Sequence, residues 1–97
     1  MILDQKIALV TGGAKGIGRS ISLALAQNGC DLIVHYNRST QHAESLRAEV
    51  ETLGRKIWLV QADFSDMEAI TAFFPSQIEP ILTNESRELD LLVNNAG

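Results

Sequence analysis

The sequence predicts an α/β fold, in which parallel strands alternate with helices that cover both faces of one sheet. Four short apolar runs of the length of buried strands occur within the 97 residues. Segments whose apolar residues recur at helical spacing separate these runs. The first apolar run leads directly into a glycine-rich segment, which is typical of a strand–turn–helix unit that binds phosphate groups.

Composition limits the classes of protein to consider. The chain is 45% hydrophobic and 21% charged with a net charge of −4, as expected for one small globular domain. Its Lys and Arg residues are scattered without a basic face, which argues against a nucleic-acid partner. The single cysteine, Cys30, excludes a disulfide framework and fits a reducing compartment. Without a signal peptide or an apolar run of about 20 residues, we expect a cytoplasmic protein with no membrane partner.

The first predicted strand and helix flank the glycine-rich segment. Residues 7–10 are continuously apolar, as expected for a parallel strand covered on both faces. The next segment has apolar residues at helical spacing, namely Ile17, Ile21, Ala24 and Leu25. Gly29 is predicted to end this helix, because glycine readily adopts the left-handed conformation that follows a helix.

The middle of the chain repeats the alternation of strand and helix. Residues 32–34 form the second predicted strand and residues 57–60 the third. Between them, Ser39 or Thr40 is expected to cap a helix that ends at Gly54. The apolar stripe of this helix consists of Ala43, Leu46, Val50 and Leu53.

The last third of the chain contains a third helix and a fourth strand. Ser65 and Glu68 are spaced as a capping box, and the helix is expected to bury Met67, Ile70 and Phe74. Pro75 lacks an N–H group and clashes with the preceding turn, which predicts a broken or kinked segment. We expect a polar loop over residues 83–88 and a fourth strand over residues 89–93.

Right-handed crossovers between four strands, together with the glycine loop after the first strand, predict the strand order 3-2-1-4. This is the nucleotide-binding half of a doubly wound, Rossmann-type sheet. A ligand is expected at the carboxyl ends of the strands, where the strand order reverses.

The glycine-rich segment, residues 11–18, is interpreted as a dinucleotide cradle. A helix N-terminus has free N–H groups and a partial positive charge, and glycine lets a pyrophosphate approach the backbone. The spacing departs from Gly-x-Gly-x-x-Gly, because Ile21 stands at the third glycine position. One alternative is a triphosphate-binding loop from Gly13, in which Arg19 replaces the required Lys. A second alternative is a tight turn without a ligand.

The residues that follow the second strand bear on the type of dinucleotide. An NAD(H) site usually has Asp or Glu about 20 residues after the glycines, but residues 35–39 contain no acid. The Arg38 guanidinium suits a 2′-phosphate, Ser39 could add a hydroxyl contact, and Lys15 could add a second cation. This pattern favours NADP(H) over NAD(H). His35 is expected to have a structural rather than a catalytic role.

Three segments together resemble the short-chain dehydrogenase/reductase family over the whole chain. Residues 11–18 are similar to the family's Thr-Gly-x-x-x-Gly-x-Gly cofactor loop, and residues 94–97 to its Asn-Asn-Ala-Gly signature. Asp63 stands where the family has an Asp that binds the adenine amine. Residues 35–39 resemble the NADP(H)-dependent members, such as 3-oxoacyl-carrier-protein reductases and pteridine reductases.

The resemblance implies a set of cofactor-binding residues. Glycines would shape the loop, the Ile17 N–H would meet the pyrophosphate, and Thr11 would tie the loop to the fourth strand. Lys15, Arg38 and Ser39 would bind the 2′-phosphate. Asp63 and the Phe64 backbone would hold adenine, and the last segment would line the ribose and nicotinamide side. The full implied set is Thr11, Gly12, Lys15, Gly16, Ile17, Gly18, Tyr36, Arg38, Ser39, Asp63, Phe64, Asn94, Ala96 and Gly97.

The resemblance implies catalytic residues that this chain does not supply. The family's Tyr-x-x-x-Lys pair and substrate-polarising Ser follow the Asn-Asn-Ala-Gly segment, whereas the only tyrosine here, Tyr36, precedes Thr40 by four positions. We therefore expect residues 1–97 to be the dinucleotide-binding portion of a larger single-domain enzyme, with no catalytic or metal-binding residue among them.

The activity that the resemblance implies is NADP(H)-dependent hydride transfer between nicotinamide and a small carbonyl or alcohol substrate. The complete enzyme is expected to be a homodimer or homotetramer. A non-catalytic dinucleotide-binding module with a regulatory role is the alternative.

Overall fold

The computed structural model describes residues 2–95, which contain a four-stranded parallel sheet. The strands are β1 (Ile7–Thr11), β2 (Asp31–Tyr36), β3 (Ile57–Gln61) and β4 (Leu91–Asn94). Their order across the sheet is β3-β2-β1-β4, and every neighbouring pair is parallel. The predicted fold class and strand order are therefore confirmed. The fourth strand begins two residues later than predicted.

Helices cover both faces of the sheet. Helices α1 (Gly16–Gln27) and α2 (Thr40–Thr52) pack on one face. Helix α3 (Met67–Phe73), a π-helical segment (Phe74–Ile78) and helix α4 (Glu79–Glu85) pack on the other. Neighbouring strand residues such as Ala8 and Leu9 belong to different hydrophobic clusters, because side chains alternate between the faces of a strand. This two-sided burial accounts for the continuously apolar strands.

Glycines end α1 and α2, as predicted. Gly29 and Gly54 have φ values of 101° and 80°, in the left-handed region that glycine tolerates. A Cβ at Gly29 would lie 2.2 Å from Asp4 Oδ1, so space also requires glycine there. Ser39 occupies the N-cap of α2 as expected, but its hydroxyl makes no capping hydrogen bond.

The predicted start and buried face of the third helix are wrong. Asp66, not Ser65, caps α3 by accepting a 2.9 Å hydrogen bond from the Glu68 N–H. The expected apolar face is largely exposed, with exposed fractions of 74% for Met67, 45% for Ile70 and 40% for Phe74.

Phe73 is buried instead, together with Ile78 and Leu82. The distance from Phe73 to Ile78 along the chain is one residue longer than the helical repeat of four, because the π-helical segment inserts an extra residue. The face that packs on the sheet is therefore displaced from the one that regular spacing predicts.

Pro75 changes the helix type without ending the helical segment. It lies at the start of the π-helical segment, whose closing hydrogen bond runs from the Glu79 N–H to the Phe74 carbonyl. Pro80 follows in the first turn of α4, where a missing N–H is tolerated. Helix α4 therefore continues to Glu85, and the predicted loop begins only at Ser86, which has a φ of 54°.

Two features are absent from residues 2–95. In this part of the chain no helix is long and apolar enough to cross a membrane. Within the same residues, no group of three or more His, Cys, Asp or Glu side chains is placed to hold a metal ion.

Candidate functional site

A cleft of about 600 Å³ opens at the carboxyl ends of β1, β2 and β3. Three segments line it: the glycine loop between β1 and α1, residues 35–39 at the end of β2, and residues 62–65 after β3. This is the edge of the sheet where the sequence predicts a ligand. Among the predicted site residues, the cleft gathers Gly12, Lys15, Tyr36, Arg38, Ser39, Asp63 and Phe64.

The glycine loop has a backbone that requires glycine. Gly12 and Gly16 both have a φ of 60°. A Cβ at Gly18 would lie 2.1 Å from the Gly12 carbonyl oxygen, so the loop folds against the first turn of α1 without space for a side chain. Lys15, which precedes α1, makes no side-chain cap. The α1 N-terminus therefore presents its N–H groups without a side-chain acceptor.

The segment after β4 holds the glycine loop in place. The Thr11 hydroxyl oxygen accepts a 3.0 Å hydrogen bond from the Asn95 N–H and lies 3.3 Å from Asn94 Oδ1. The Asn95 side-chain amide donates to the Gly12 carbonyl at 3.0 Å. Thr11 therefore ties β1 to β4, as the resemblance implies. The predicted site residues Ala96 and Gly97 lie outside the described residues.

His35 forms the floor of the cleft and is 3% exposed. Its Nδ1 accepts a 3.0 Å hydrogen bond from the Gly12 N–H, and its Nε2 lies 2.9 Å from the Ala62 carbonyl oxygen. The ring stacks on Phe64 with centroids 4.0 Å apart. Burial lowers the pKa of His35, while the Ala62 hydrogen bond opposes this effect. The neutral, buried ring agrees with the structural role predicted for it.

Two cations line the cleft. Lys15 comes from the glycine loop and Arg38 from the end of β2, and both side chains are exposed. Ser39 also lines the cleft, with a hydroxyl that makes no capping hydrogen bond. The structure thus brings together the three residues that the sequence predicts for a phosphate group.

Asp63 contributes the carboxylate of the cleft. Its Oδ1 accepts hydrogen bonds from the Ser65 hydroxyl at 2.7 Å and from the Ser65 N–H at 2.9 Å. These hydrogen bonds lower the pKa of Asp63, and the positive charge of Arg38 lowers it further. The carboxylate is therefore ionised at neutral pH and is held in a defined turn.

Arg19 has a role that sequence reasoning missed. Its guanidinium donates to the Ala14 carbonyl at 3.4 Å and forms an ion pair of 3.3 Å with Glu49. It also donates to His42 and Ser45 of α2. Arg19 therefore joins the glycine loop to α2 and is not among the cleft residues. This geometry does not fit the triphosphate-loop alternative, which needs a cation at this position to face phosphate groups.

Ser22 is a second missed residue. It is fully buried in α1, with its hydroxyl oxygen 2.9 Å from the Gly18 carbonyl and 3.1 Å from the Gly13 carbonyl. Its role could have been inferred from the sequence, because Ser22 is a polar residue one turn after the last loop glycine, on the buried face of the helix.

Comparisons with known proteins place the chain in a family. The family model described as short chain dehydrogenase matches residues 6–97. The 3-oxoacyl-[acyl-carrier-protein] reductase FabG of Staphylococcus aureus is 38% identical over 92 residues, which are 95% of this chain and 35% of that protein. Versicolorin reductase stcU of Emericella nidulans is 37% identical over 95 residues, which are 98% of this chain and 34% of that protein. The chain thus spans about a third of the length of these relatives.

Solved structures agree with this result. A short chain dehydrogenase from Burkholderia cenocepacia in complex with NADP has a TM-score of 0.83 and 39% identity, covering 98% of this chain and 37% of that one. The landomycin C-6 ketoreductase LanV with bound NADP and rabelomycin has a TM-score of 0.86 and 32% identity, covering 98% and 39%. From its motifs, its fold and these matches, we conclude that the chain belongs to the short-chain dehydrogenase family.

Proposed function

We propose that this chain is the dinucleotide-binding portion of an NADP(H)-dependent oxidoreductase, which transfers a hydride between nicotinamide and a small carbonyl or alcohol substrate. The bound cofactor would supply or accept the hydride, while the residues described here bind and orient it. Because the chain spans about 35% of its relatives, we further propose that residues 1–97 belong to a larger single domain. The residues that act on the substrate would then lie outside this chain.

The preference for NADP(H) over NAD(H) rests on one observation, which is that Lys15, Arg38 and Ser39 all line the cleft. A doubly charged 2′-phosphate would form charge-assisted hydrogen bonds with the guanidinium and the ammonium. Asp63, the carboxylate that lines the cleft, comes from the β3 turn and not from the end of β2, where an NAD(H) site usually has its acid. NADP bound to two of the similar structures supports this proposal.

Other residues would contact the remaining parts of the dinucleotide. The uncapped N-terminus of α1, with glycine at positions 16 and 18 and the Ile17 N–H between them, suits a pyrophosphate. Asp63 and the Phe64 backbone would hold adenine. Asn94, with Ala96 and Gly97, would line the ribose and nicotinamide side, and Tyr36 would flank the adenosine end.

The test of the cofactor proposal is a titration of the full gene product with NADPH and NADH, followed by nicotinamide fluorescence. We expect NADPH to bind at least about tenfold more tightly, which corresponds to about 1.4 kcal/mol. Arg38→Ala should remove most of this preference. Arg47→Ala is the matched control, because it removes a cation from α2, the helix that follows Arg38, and the Arg47 side chain pairs with Glu44 outside the cleft.

The possible results separate the parts of the proposal. Equal affinity for NADPH and NADH would overturn the choice of NADP(H) but leave a nicotinamide cofactor in place. Absence of binding by either dinucleotide would overturn the cofactor proposal itself.

The proposed activity needs its own assay, which is NADPH oxidation in the presence of ketone and aldehyde substrates. A gene product that binds NADPH, reduces no carbonyl compound and lacks a downstream Tyr-x-x-x-Lys pair would favour the regulatory module instead. The proposed homodimer or homotetramer is tested by light scattering of the same preparation.

A further inference from the structure

One buried side chain connects both walls of the cleft. His35 lies at the end of β2, between the glycine loop on one side and residues 62–65 on the other. The Gly12 N–H donates to its Nδ1, and its Nε2 faces the Ala62 carbonyl at 2.9 Å. A carbonyl only accepts and an N–H only donates, so both contacts are satisfied only by the neutral ring with its proton on Nε2.

Further contacts of His35 strengthen the connection. The His35 carbonyl accepts a 3.0 Å hydrogen bond from the Gly13 N–H, so backbone and side chain both engage the loop. The ring lies nearly parallel to Phe64, with an interplanar angle of 6°, and contacts the edge of Phe73 on α3. Three separate segments therefore depend on the position of one imidazole.

His35 contacts the start of the glycine loop, at Gly12, which also lines the cleft. Gly12 has a φ of 60°, and its carbonyl accepts from Asn95 while its N–H donates to His35. Its peptide groups are thereby fixed from both sides. On the opposite wall, Phe64 follows Asp63 directly, so the stacked ring restrains the turn that carries the carboxylate.

We propose that His35 is a positioning residue, whose neutral imidazole holds the glycine loop and the Asp63–Phe64 turn at the separation that the dinucleotide needs. Protonation of Nδ1 would set an N–H against the Gly12 N–H and release the loop. The affinity for the cofactor should therefore decrease at acidic pH, because His35 becomes protonated there. This inference rests on the proposed function, since it assumes that a dinucleotide occupies the cleft.

The charged and titratable residues that line the cleft with His35 come from three segments. The glycine loop contributes Lys15, the end of β2 contributes Tyr36 and Arg38, and the β3 turn contributes Asp63, while α3 contacts the ring through Phe73. Burial lowers the pKa of His35 from its ordinary value of 6.5, with only the Ala62 hydrogen bond opposing. The ring is therefore neutral at physiological pH, as the proposed link requires.

The first experiment measures the NADPH dissociation constant of the full gene product between about pH 5.5 and 8. Wild type is compared with His35→Asn, which keeps one donor and one acceptor but does not titrate, and with His35→Phe, which keeps only a stacking ring. At about pH 8, we expect His35→Phe to bind about tenfold more weakly, as for the loss of a buried hydrogen-bond partner. The cofactor's own phosphate titration is common to all three proteins.

The result that supports the proposal is a steeper loss of affinity at acidic pH for wild type than for His35→Asn. Coincident pH profiles for these two proteins, or wild-type affinity in a folded His35→Phe protein, would overturn it.

The second experiment does not depend on the cofactor. Nuclear magnetic resonance of the ¹⁵N-labelled protein should show the Nε2–H tautomer of His35 and a Gly12 amide that shifts as His35 titrates. Two results would overturn the positioning role even if His35→Phe fails to fold. One is a ring protonated on Nδ1 at neutral pH, and the other is a Gly12 amide whose chemical shift does not change as His35 titrates. Loss of dinucleotide binding with these signals intact would instead count against the proposed function.

Discussion

Gly18→Ala should damage the glycine loop through lack of space. The added Cβ would lie 2.1 Å from the Gly12 carbonyl oxygen and 2.6 Å from the Asn95 side-chain nitrogen, whereas ordinary contacts are 3.4 Å or longer. The nearest obstacle is backbone, which a change of side-chain rotamer does not relieve. The loop must therefore move away from α1, and the hydrogen bond from Asn95 to Gly12 is expected to break.

The expected change in the free energy of unfolding combines two unfavourable contributions and one favourable contribution. Overpacking of a tight site costs about 1–3 kcal/mol, and loss of one hydrogen bond costs about 1 kcal/mol. Alanine in a helix is about 1 kcal/mol more favourable than glycine, which offsets part of this loss. We expect the free energy of unfolding to fall by about 1–3 kcal/mol, with at least about tenfold weaker NADPH binding.

The assay is urea-induced unfolding of the full gene product, with cofactor titration of the same samples. Gly54→Ala is the control, because a Cβ there meets nothing within 4 Å while the φ of 80° is unfavourable for alanine. That variant should lose only about 1 kcal/mol, without any change in cofactor affinity. If Gly18→Ala is no less stable than Gly54→Ala and binds NADPH normally, the reasoning from loop space is refuted.

Three further predictions concern the core and the titrating groups. Phe73→Ala should lower the free energy of unfolding by about 3–5 kcal/mol, because Phe73 is only 7% exposed. Phe74 is 40% exposed, so Phe74→Ala should lower the free energy of unfolding clearly less in the same denaturation assay. Since burial lowers the pKa of His35, the unfolded chain binds more protons. The contribution of His35 to stability should therefore be constant above about pH 6.5 and decline below it, so that wild type loses stability more steeply than His35→Asn in acid, as followed by thermal unfolding across pH. Burial raises the pKa of Cys30 to about 11, so a thiol reagent at about pH 8 should modify Cys30 only after denaturant is added, and rapid modification of the folded protein would contradict this.

Much of the fold could be predicted because its signals are local. The apolar runs that form β1, β2 and β3 identify buried parallel strands without knowledge of their neighbours. Gly29 and Gly54 end their helices because a positive φ is a property of one residue. The strand order could be predicted because crossovers between parallel strands are almost always right-handed and a glycine loop follows the first strand.

The third helix could not be predicted in the same way. Regular spacing selects Met67, Ile70 and Phe74 as one face, but the π-helical segment adds a residue and moves burial to Phe73 and Ile78. Whether Pro75 breaks a helix or widens one turn depends on the packing that holds the flanking residues against the sheet, which a local pattern does not contain.

For the candidate site too, some features could be predicted from the sequence and others could not. The sequence by itself determined the chemical groups: glycines for close approach to a phosphate, one cation in the glycine loop, a second cation and a hydroxyl after β2, and a carboxylate after β3. Tertiary structure decided which of these groups meet, because parallel strands bring their carboxyl ends to one edge only when their register is set.

His35 and Arg19 show the limit most clearly. The hydrogen bonds of His35 join residues 23 and 27 positions away along the chain, and the ion pair of Arg19 reaches across to Glu49 on α2. Such links depend on the relative placement of three strands and two helices, and no local pattern encodes that placement. The sequence therefore specified which chemical groups the cleft contains, while tertiary packing determined which side chains connect the segments around it.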